Sequence, residues 1–595
     1  MHLARPNFLC KLSPMKHIAL IFALVLASPA TATPSTDLAA ILQEEWAWTL
    51  KTNPVFATSL GVRDYDDQLS DISLAAQDRN AATASAFITR LKALPDTALS
   101  ADERTNKGVL IRILDEQVDG NKYGERMMLF STYDGWHQGF ASMADGLPFY
   151  TRADFESYLT RLALFPKLNS DALAISRSAL AKGYVQPCAA LGGFENTITG
   201  AVAGKPEDTR FFTPFTKPKP ASISEADWTA MKTRAVSLIR DVIAPEYAKF
   251  HSFYLNQYKP KCRQTIGAST LPEGAAWYAF RARSHTTTDM TPDAIHTLGL
   301  SEVARIRAEM VQLATTAGYP SREAMIAKLR TDPQYFVTTP EALMAAASRM
   351  AKAIDGKMPQ FFGRLPRLPY GVREIPKETA ETTTTAYYSP GSPESGLAGN
   401  YYVNTSKLNQ RPLWELPALT AHEAVPGHHN QIALQQELTL PEFRKNAASF
   451  TAFVEGWGLY SEHLGIEMGL YDTPEKNMGR LSYEMWRACR LVVDTGMHMK
   501  GWSKAQAITF MKDNTALSDA NIEAEVNRYI SWPGQALAYK IGELKIRELR
   551  ARAEAKLGPA FDVRRFHDAV LGQGPVPLDV LDRQIEDWIA AEKKP

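Results

Sequence analysis

The sequence has no excess of charge, little cysteine and few strand-like runs. Lys and Arg number 66 against 65 Asp and Glu, a formal net charge of +1. No global field is therefore available to draw in nucleic acid or an acidic membrane. Only 4 cysteines occur in 595 residues. No internal repeat and no low-complexity tract follows the N-terminal segment. Nor does any later apolar run reach the roughly 18 to 20 residues that span a bilayer. What is present is ordinary globular material, 45% hydrophobic and 22% charged, in a length that is only a soft guide to domain number.

The N-terminus has its own pattern. "MKHIALIFALVLASPATATPS" combines a basic start, an apolar run from Ile18 to Ala27, and a small-residue exit at Ala30-Thr31-Ala32. This is the layout of a secretory signal peptide, with cleavage expected after Ala32. Met1 or Met15 is the start. A periplasmic or secreted protein follows, with no stable membrane insertion after cleavage. Cys10 leaves with the signal, so at most one internal disulfide can form. Cys188 and Cys262 sit in loop-like contexts and are the preferred pair, while Cys489 lies in a helical pattern as a buried thiol.

Residues 33–595 read as one mainly α-helical domain, with two lobes around a cleft. Helical periodicity marks 37–53 with Asp37 as cap, 154–184 with a break near Pro166, 224–258 interrupted at Pro245, and 291–318 opened by Thr-Pro and closed by Gly. The stretch 413–557 is again mostly helical. Two strand-like runs, 382–389 and 399–406, flank a Pro/Gly/Ser turn and predict a hairpin just before the most unusual segment of the chain. Two Pro/Lys-rich stretches, 205–221 and 357–377, read as linkers or surface loops.

That unusual segment is "LTAHEAVPGHHNQIALQQ", 419–436. Two histidines one turn apart on a helix can share a metal ion, and a Glu beside the first can act on a bound water. His422 and Glu423 open such a motif, but Pro426 occupies the place of the second histidine. On an unbroken helix, six residues advance roughly 240° beyond a full turn, which points His428 away from His422. His429, seven residues on, returns to the face but climbs roughly 10.5 Å. Pro426 cannot donate to the His422 carbonyl and clashes with it, so the helix should bulge or kink. Extruding Pro426-Gly427 restores the usual spacing with His428 as ligand; His429 is the alternative. A third ligand is expected from "SFTAFVEGWGLYSEHLG", 449–465, where Glu455 is a carboxylate among apolar neighbours. Glu462, on the same face, is a fallback ligand or supports one, and His463 is beside it.

Further candidates lie downstream. Arg490, Asp494 and His498 fall on one helix face, and Asp494 is placed to orient His498. His498 is a candidate donor to a substrate carbonyl or oxyanion. Arg528 suits two-pronged carboxylate binding. Tyr529 and Tyr539 are candidate phenols for polarising a carbonyl, with Gln535 and Lys540 weaker candidates.

"HEAVPGHHNQ", "FVEGWGLYSE", "VDTGMHMKGWS" and "RYISWPGQALAYKIGELKI" together resemble the bacterial family catalogued as domain of unknown function 885. Upstream "YLTRLALFPKLNSDALAISRSALAKGYVQP" and "GNYYVN" match its run of motifs as well. That family is similar to helical zinc peptidases such as the oligopeptidases and angiotensin-converting enzyme. The resemblance implies a zincin-like helical fold with a deep channel, Zn²⁺ on His422, His428 and Glu455, and Glu423 as general base. It also implies a Tyr539 region that supplies phenols to the transition state. Hydrolysis of short peptides is the expected activity, with Tyr401 and Asn404 of the hairpin aligning an extended peptide by strand addition. A non-peptide amide substrate, or a non-catalytic peptide- or metal-binding role, are the alternatives. Substrate identity, exo- or endo-cleavage and oligomeric state are not fixed by the sequence.

Overall fold

The computed structural model describes residues 33–593 apart from 132, 381–382 and 394–395. The expected signal peptide, 1–32, lies outside the described residues. The described chain is mainly α-helical, with one small sheet.

Local sequence signals set most helix ends. The first helix, Pro34–Thr52, is capped by Thr33, four residues before the expected Asp37; Asp37 instead adds negative charge to the first turn. The break near Pro166 is real: Arg152–Ala163 ends at Leu164, and Phe165–Lys182 begins with Pro166 in its first turn, where the missing N–H costs nothing. Pro245 interrupts less than expected. A π-turn, Ile239–Ile243, joins Glu225–Leu238 directly to Ala244–Phe253, so the chain runs on as helix past the proline. The stretch 205–221 is not a linker. Its short helical turns, Pro206–Asp208 and Arg210–Thr216, bury Phe211, Phe212 and Phe215 in an aromatic-rich core with Phe155 and Trp228.

Eight helices build the region around the His-Glu segment. They are α1 (Gly274–Thr286), α2 (Pro292–Thr316), α3 (Leu416–Glu423), α4 (His428–Glu437), α5 (Thr451–Leu464), α6 (Pro474–Met499), α7 (Asp519–Ser531) and α8 (Ala538–Leu557). Helix α6 is the central rod, and every residue from Met478 to His498 is buried. It packs along α2, while α5 packs along α8. The second pairing is close because two glycines meet. A Cβ on Gly456 would lie 2.5 Å from Gly542 Cα, so only glycine allows this approach. The contact sets Glu455, on α5, beside the start of α8.

The sheet has three strands, β1 (Tyr370–Glu374), β2 (Ala386–Ser389) and β3 (Gly399–Val403), in the order β1-β3-β2. β2 and β3 form the expected antiparallel hairpin, shorter than the sequence pattern suggested, pairing Ala386 with Val403 and Ser389 with Asn400. β1 was not expected. It lies within 357–377 and joins β3 in parallel, Tyr370 opposite Gly399. The alternation along β3 buries Tyr401 and Val403. Cys188 and Cys262 are bonded, and Cys489 is a buried free thiol on α6. Among the described residues no helix is long and apolar enough to cross a membrane.

Candidate metal centre

The unusual segment does not bulge within one helix. α3 ends at Glu423, residues 424–427 form a tight turn, and α4 begins at His428. Pro426 brings no N–H to continue the ladder, and its peptide bond to Val425 is cis. Gly427 folds back over the end of α3, its N–H donating to Ala421 O at 3.0 Å. A side chain there is excluded, since a Cβ would sit 1.9 Å from His422 O. The indole N–H of Trp457, on α5, donates to Pro426 O at 2.8 Å and ties the turn to the helix that carries Glu455.

This turn brings His428 to His422. Their rings are 4.7 Å apart, centre to centre, and perpendicular. Glu455 Oε2 lies 3.4 Å from His422 Nε2 and 3.5 Å from His428 Nε2. One donor atom from each residue falls within 4.8 Å of the others, a group able to hold a metal ion. Glu455 Oε2 is buried and has no hydrogen-bond partner among the described residues. His429 points the other way. Its Nε2–H donates to Leu368 O at 3.0 Å and its Nδ1 accepts from the Tyr388 hydroxyl at 3.0 Å, so it fastens α4 to the sheet.

The ring of His422 is fixed from behind. Its Nδ1–H donates to Glu462 Oε1 at 2.8 Å, and Arg487 pairs with that same oxygen at 2.8 Å. All three side chains are buried. In front, Gly458 of α5 lies flat against the ring, where a Cβ would come within 2.6 Å of His422 Cε1. The surroundings favour positive charge at this point. Burial opposes protonation of His422, but Glu455 and Glu462 outweigh it and hold its pKa up at about 9. Burial works against the Glu455 carboxylate too, and the two histidines outweigh it, leaving that pKa well below the usual range.

Glu423 closes α3 directly after His422, half-buried, and its charge acts on His422. Tyr539, in the first turn of α8, senses the Glu455 charge. Burial first, then Glu455, raises its pKa, so it is a neutral phenol with a proton to donate. The Arg490 guanidinium covers its ring at 4.2 Å. Arg528 is not free: its guanidinium is held by Glu525 at 2.8 Å and by Gln535 Oε1 at 2.6 Å. Arg490 and the Tyr529 hydroxyl meet the same Glu525.

Other sequence candidates are placed differently. His498 is wholly buried, with Nε2–H donating to Tyr529 O at 3.0 Å and Nδ1 accepting from the Ala268 N–H at 3.1 Å. No ring nitrogen is left for a substrate. Asp494 does not orient it; that carboxylate accepts from Tyr278 and from the Gly534 N–H. Tyr401 is buried beneath the sheet with its hydroxyl 3.4 Å from Thr420 Oγ1. Asn404 is also buried, donating to the carbonyls of Ala380, Thr383 and Thr384, and holds the loop before β2. Neither side chain is available to align a peptide. Lys540 is locked among Glu302, Glu484 and Glu543. Arg487 was not among the sequence candidates; it lies three residues before Arg490, on a face of α6 that also carries Arg480, Glu484 and Asp494, and nothing in that spacing singles it out as the partner of Glu462.

Fold and site together define a mainly helical protein with a His-His-Glu group at a broken helix. The chain belongs to the family described as bacterial protein of unknown function, DUF885, whose profile matches residues 54–585. A "putative lipoprotein" from Colwellia psychrerythraea has a similar crystal structure, at 27% identity and a TM-score of 0.85, covering 94% of this chain and all of that one. A "putative lipoprotein of unknown function" from Shewanella oneidensis shares the fold at 19% identity and a TM-score of 0.72, covering 93% of this chain and all of that one. No curated protein matches.

Proposed function

We propose that the protein is an exported zinc-dependent peptidase acting on short peptides. The observation that carries this reading is the buried Glu455 Oε2, unpartnered and flanked by two imidazole nitrogens at 3.4 and 3.5 Å. Those separations are long for hydrogen bonds. They match the spacing of roughly 3.3 Å between neighbouring donors about 2.05 Å from a tetrahedral ion. His422, His428 and Glu455 would hold the ion, and Glu462 would fix the His422 tautomer so that Nε2 is free. When bound, Zn²⁺ supplies Lewis acidity to a water and to a substrate carbonyl. Glu423 accepts the proton of the attacking water and returns it to the leaving amine. Tyr539 donates a hydrogen bond to the oxyanion as charge develops there.

Export is supported by the N-terminal sequence pattern, by the Cys188–Cys262 disulfide, which suits an oxidising compartment, and by the lipoprotein description of the Colwellia relative. The test is metal analysis with a peptide-library cleavage assay on wild type and Glu423→Gln. Zinc in both proteins with cleavage only by the wild type is expected. Stoichiometric zinc without turnover of any peptide refutes the peptidase reading and favours another amide substrate or a binding role.

A further inference from the structure

A cavity of about 370 Å³ lies between α1, the segment that opens α8 and the loops around residues 186 and 263. Two residues of its wall make contacts that lead toward the candidate metal centre. Gln535, on its wall, bonds to Arg528 and also to the hydroxyl of Tyr539, in the first turn of α8. His285, on another wall, has Nδ1 3.5 Å from Thr451 Oγ1. Thr451 is the first residue of α5, one helical turn before Glu455.

The charges in this cavity are unequally satisfied. Its two carboxylates are occupied locally. Glu125 accepts from the Trp277 indole at 2.8 Å and lies 3.4 Å from Arg281, while Asp134 accepts from Ser131 Oγ and from the Trp532 indole. Arg263 has no such partner. Its Nε and Nη1 donate only to neutral oxygens, on Val185, Thr265, Gly267 and Thr270. Among the described residues nothing pairs with its Nη2, and no carboxylate lies within ion-pair range. Burial without a counter-charge lowers its pKa to about 10. Arg281 is the second cation. It donates to His285 Nε2 at 2.7 Å, and its own Nε is buried and unpartnered.

A guanidinium desolvated without a counter-ion stands ready for an anion. Arg263 is also held rigidly. Its N–H donates to Gln186 O and its carbonyl accepts from the Cys188 N–H, so the two cavity-lining residues Gln186 and Arg263 flank the Cys188–Cys262 disulfide. The bridge fixes the backbone from which the guanidinium projects.

We propose that this cavity binds the free α-carboxylate at the C-terminus of a peptide substrate, with Arg263 and Arg281 as its anchors. The enzyme would then act a short distance from free C-termini. This rests on the peptidase reading, and the experiment separates the two.

The probes are three matched peptides: one with a free C-terminal carboxylate, its C-terminal amide, and an amide ending in Asp. Purified wild-type protein loaded with zinc is assayed on each, and kcat/KM ratios are compared. A free acid preferred over the amide by about tenfold or more is expected, the worth of one hydrogen bond between charged groups. Arg263→Gln and Arg281→Gln should each move that ratio towards one while retaining zinc. Cleavage of no peptide defeats the peptidase reading itself. Equal cleavage of acid and amide leaves that reading standing and overturns the carboxylate anchor. Recovery of full rate by the Asp-terminated amide overturns the α-carboxylate in favour of a side-chain carboxylate. Arg263 supports a loop through four hydrogen bonds; if its variant fails to fold, the wild-type ratio and Arg281→Gln decide the matter, and a ratio unchanged in Arg281→Gln counts against the proposal.

Discussion

Replacing Gly458 by alanine isolates the packing that fixes His422. The new Cβ would lie 2.6 Å from His422 Cε1, 2.9 Å from Nε2 and 3.0 Å from Nδ1. Ordinary contact begins at 3.4 Å, so one partner must retreat by about 0.8 Å, which is 3.4 less 2.6. Helix α5 has little room to do so. Gly456 lies roughly 200° around the helix from Gly458, and there α5 already rests on the backbone of α8, a Cβ on Gly542 falling 2.8 Å from Gly456 Cα. The imidazole must therefore move, against its 2.8 Å hydrogen bond to Glu462. Metal sites tolerate shifts of only about 0.2 Å in ligand distance, so zinc affinity should drop by about 10- to 100-fold. Stability of the metal-free protein should change far less. Alanine in a helix gains about 0.5–1 kcal/mol over glycine, against an overpacking cost of about 1–3 kcal/mol. The net is a loss of about 0–2.5 kcal/mol. The assay is zinc titration against a competing chelator, beside denaturant melts of the metal-free form. Gly108→Ala is the control: it is helical, with nothing within 4 Å of the added methyl. It should gain about 0.5–1 kcal/mol and bind zinc as the wild type does. Wild-type zinc affinity in Gly458→Ala would refute the idea that α5 holds the ring in place.

His428→Ala should lose zinc, whereas His429→Ala should keep it and lose about 1–3 kcal/mol of stability, the cost of leaving the Leu368 carbonyl unpaired. Metal analysis and denaturant melts of the two variants check this, and the reverse pattern of zinc retention would reassign the ligand. Acid should destabilise the fold through its buried histidines. Burial holds the pKa of His137 and His498 near 4 and that of His567 near 3, against 6.5 in an open chain. The unfolded chain therefore takes up protons first as pH falls below 6.5, and stability declines from there to about pH 4. In His137→Gln the slope over that window should be shallower by up to one proton, about 1.4 kcal/mol per pH unit. Equal slopes in urea melts at pH 6.5, 5.5 and 4.5 would show that His137 is not held neutral.

Much of this architecture was legible because its signals are local. Thr291 with Pro292, or Pro166 after Leu164, carries its structural consequence within a few residues. The convergence of His422 and His428 was legible for the same reason, since helix pitch and the missing proline donor leave few solutions. Glu455 was legible as a carboxylate that an apolar helix cannot bury alone. What failed required partners remote in sequence. Helical spacing puts Asp494 and His498 on one face, but it does not reveal that Ala268 and Tyr529 bring backbone groups to both nitrogens of the imidazole. β1 is stabilised by a parallel neighbour that starts 29 positions later, Tyr370 against Gly399, and nothing within its own five residues announces it. In 205–221, proline and lysine masked three phenylalanines that the aromatic core claims. The hairpin was visible, but which of its faces would be buried was not, and that decides the fate of Tyr401.

On the proposed reading, His422, His428 and Glu455 hold one metal ion at a helix broken by Pro426 and Gly427. Anomalous diffraction at the zinc edge, from crystals grown with zinc, tests it most directly. One strong peak is expected, bounded by His422 Nε2, His428 Nε2 and Glu455 Oε2, with none at His429 or His463. A peak on other residues, or none at the His422 ring, would contradict it.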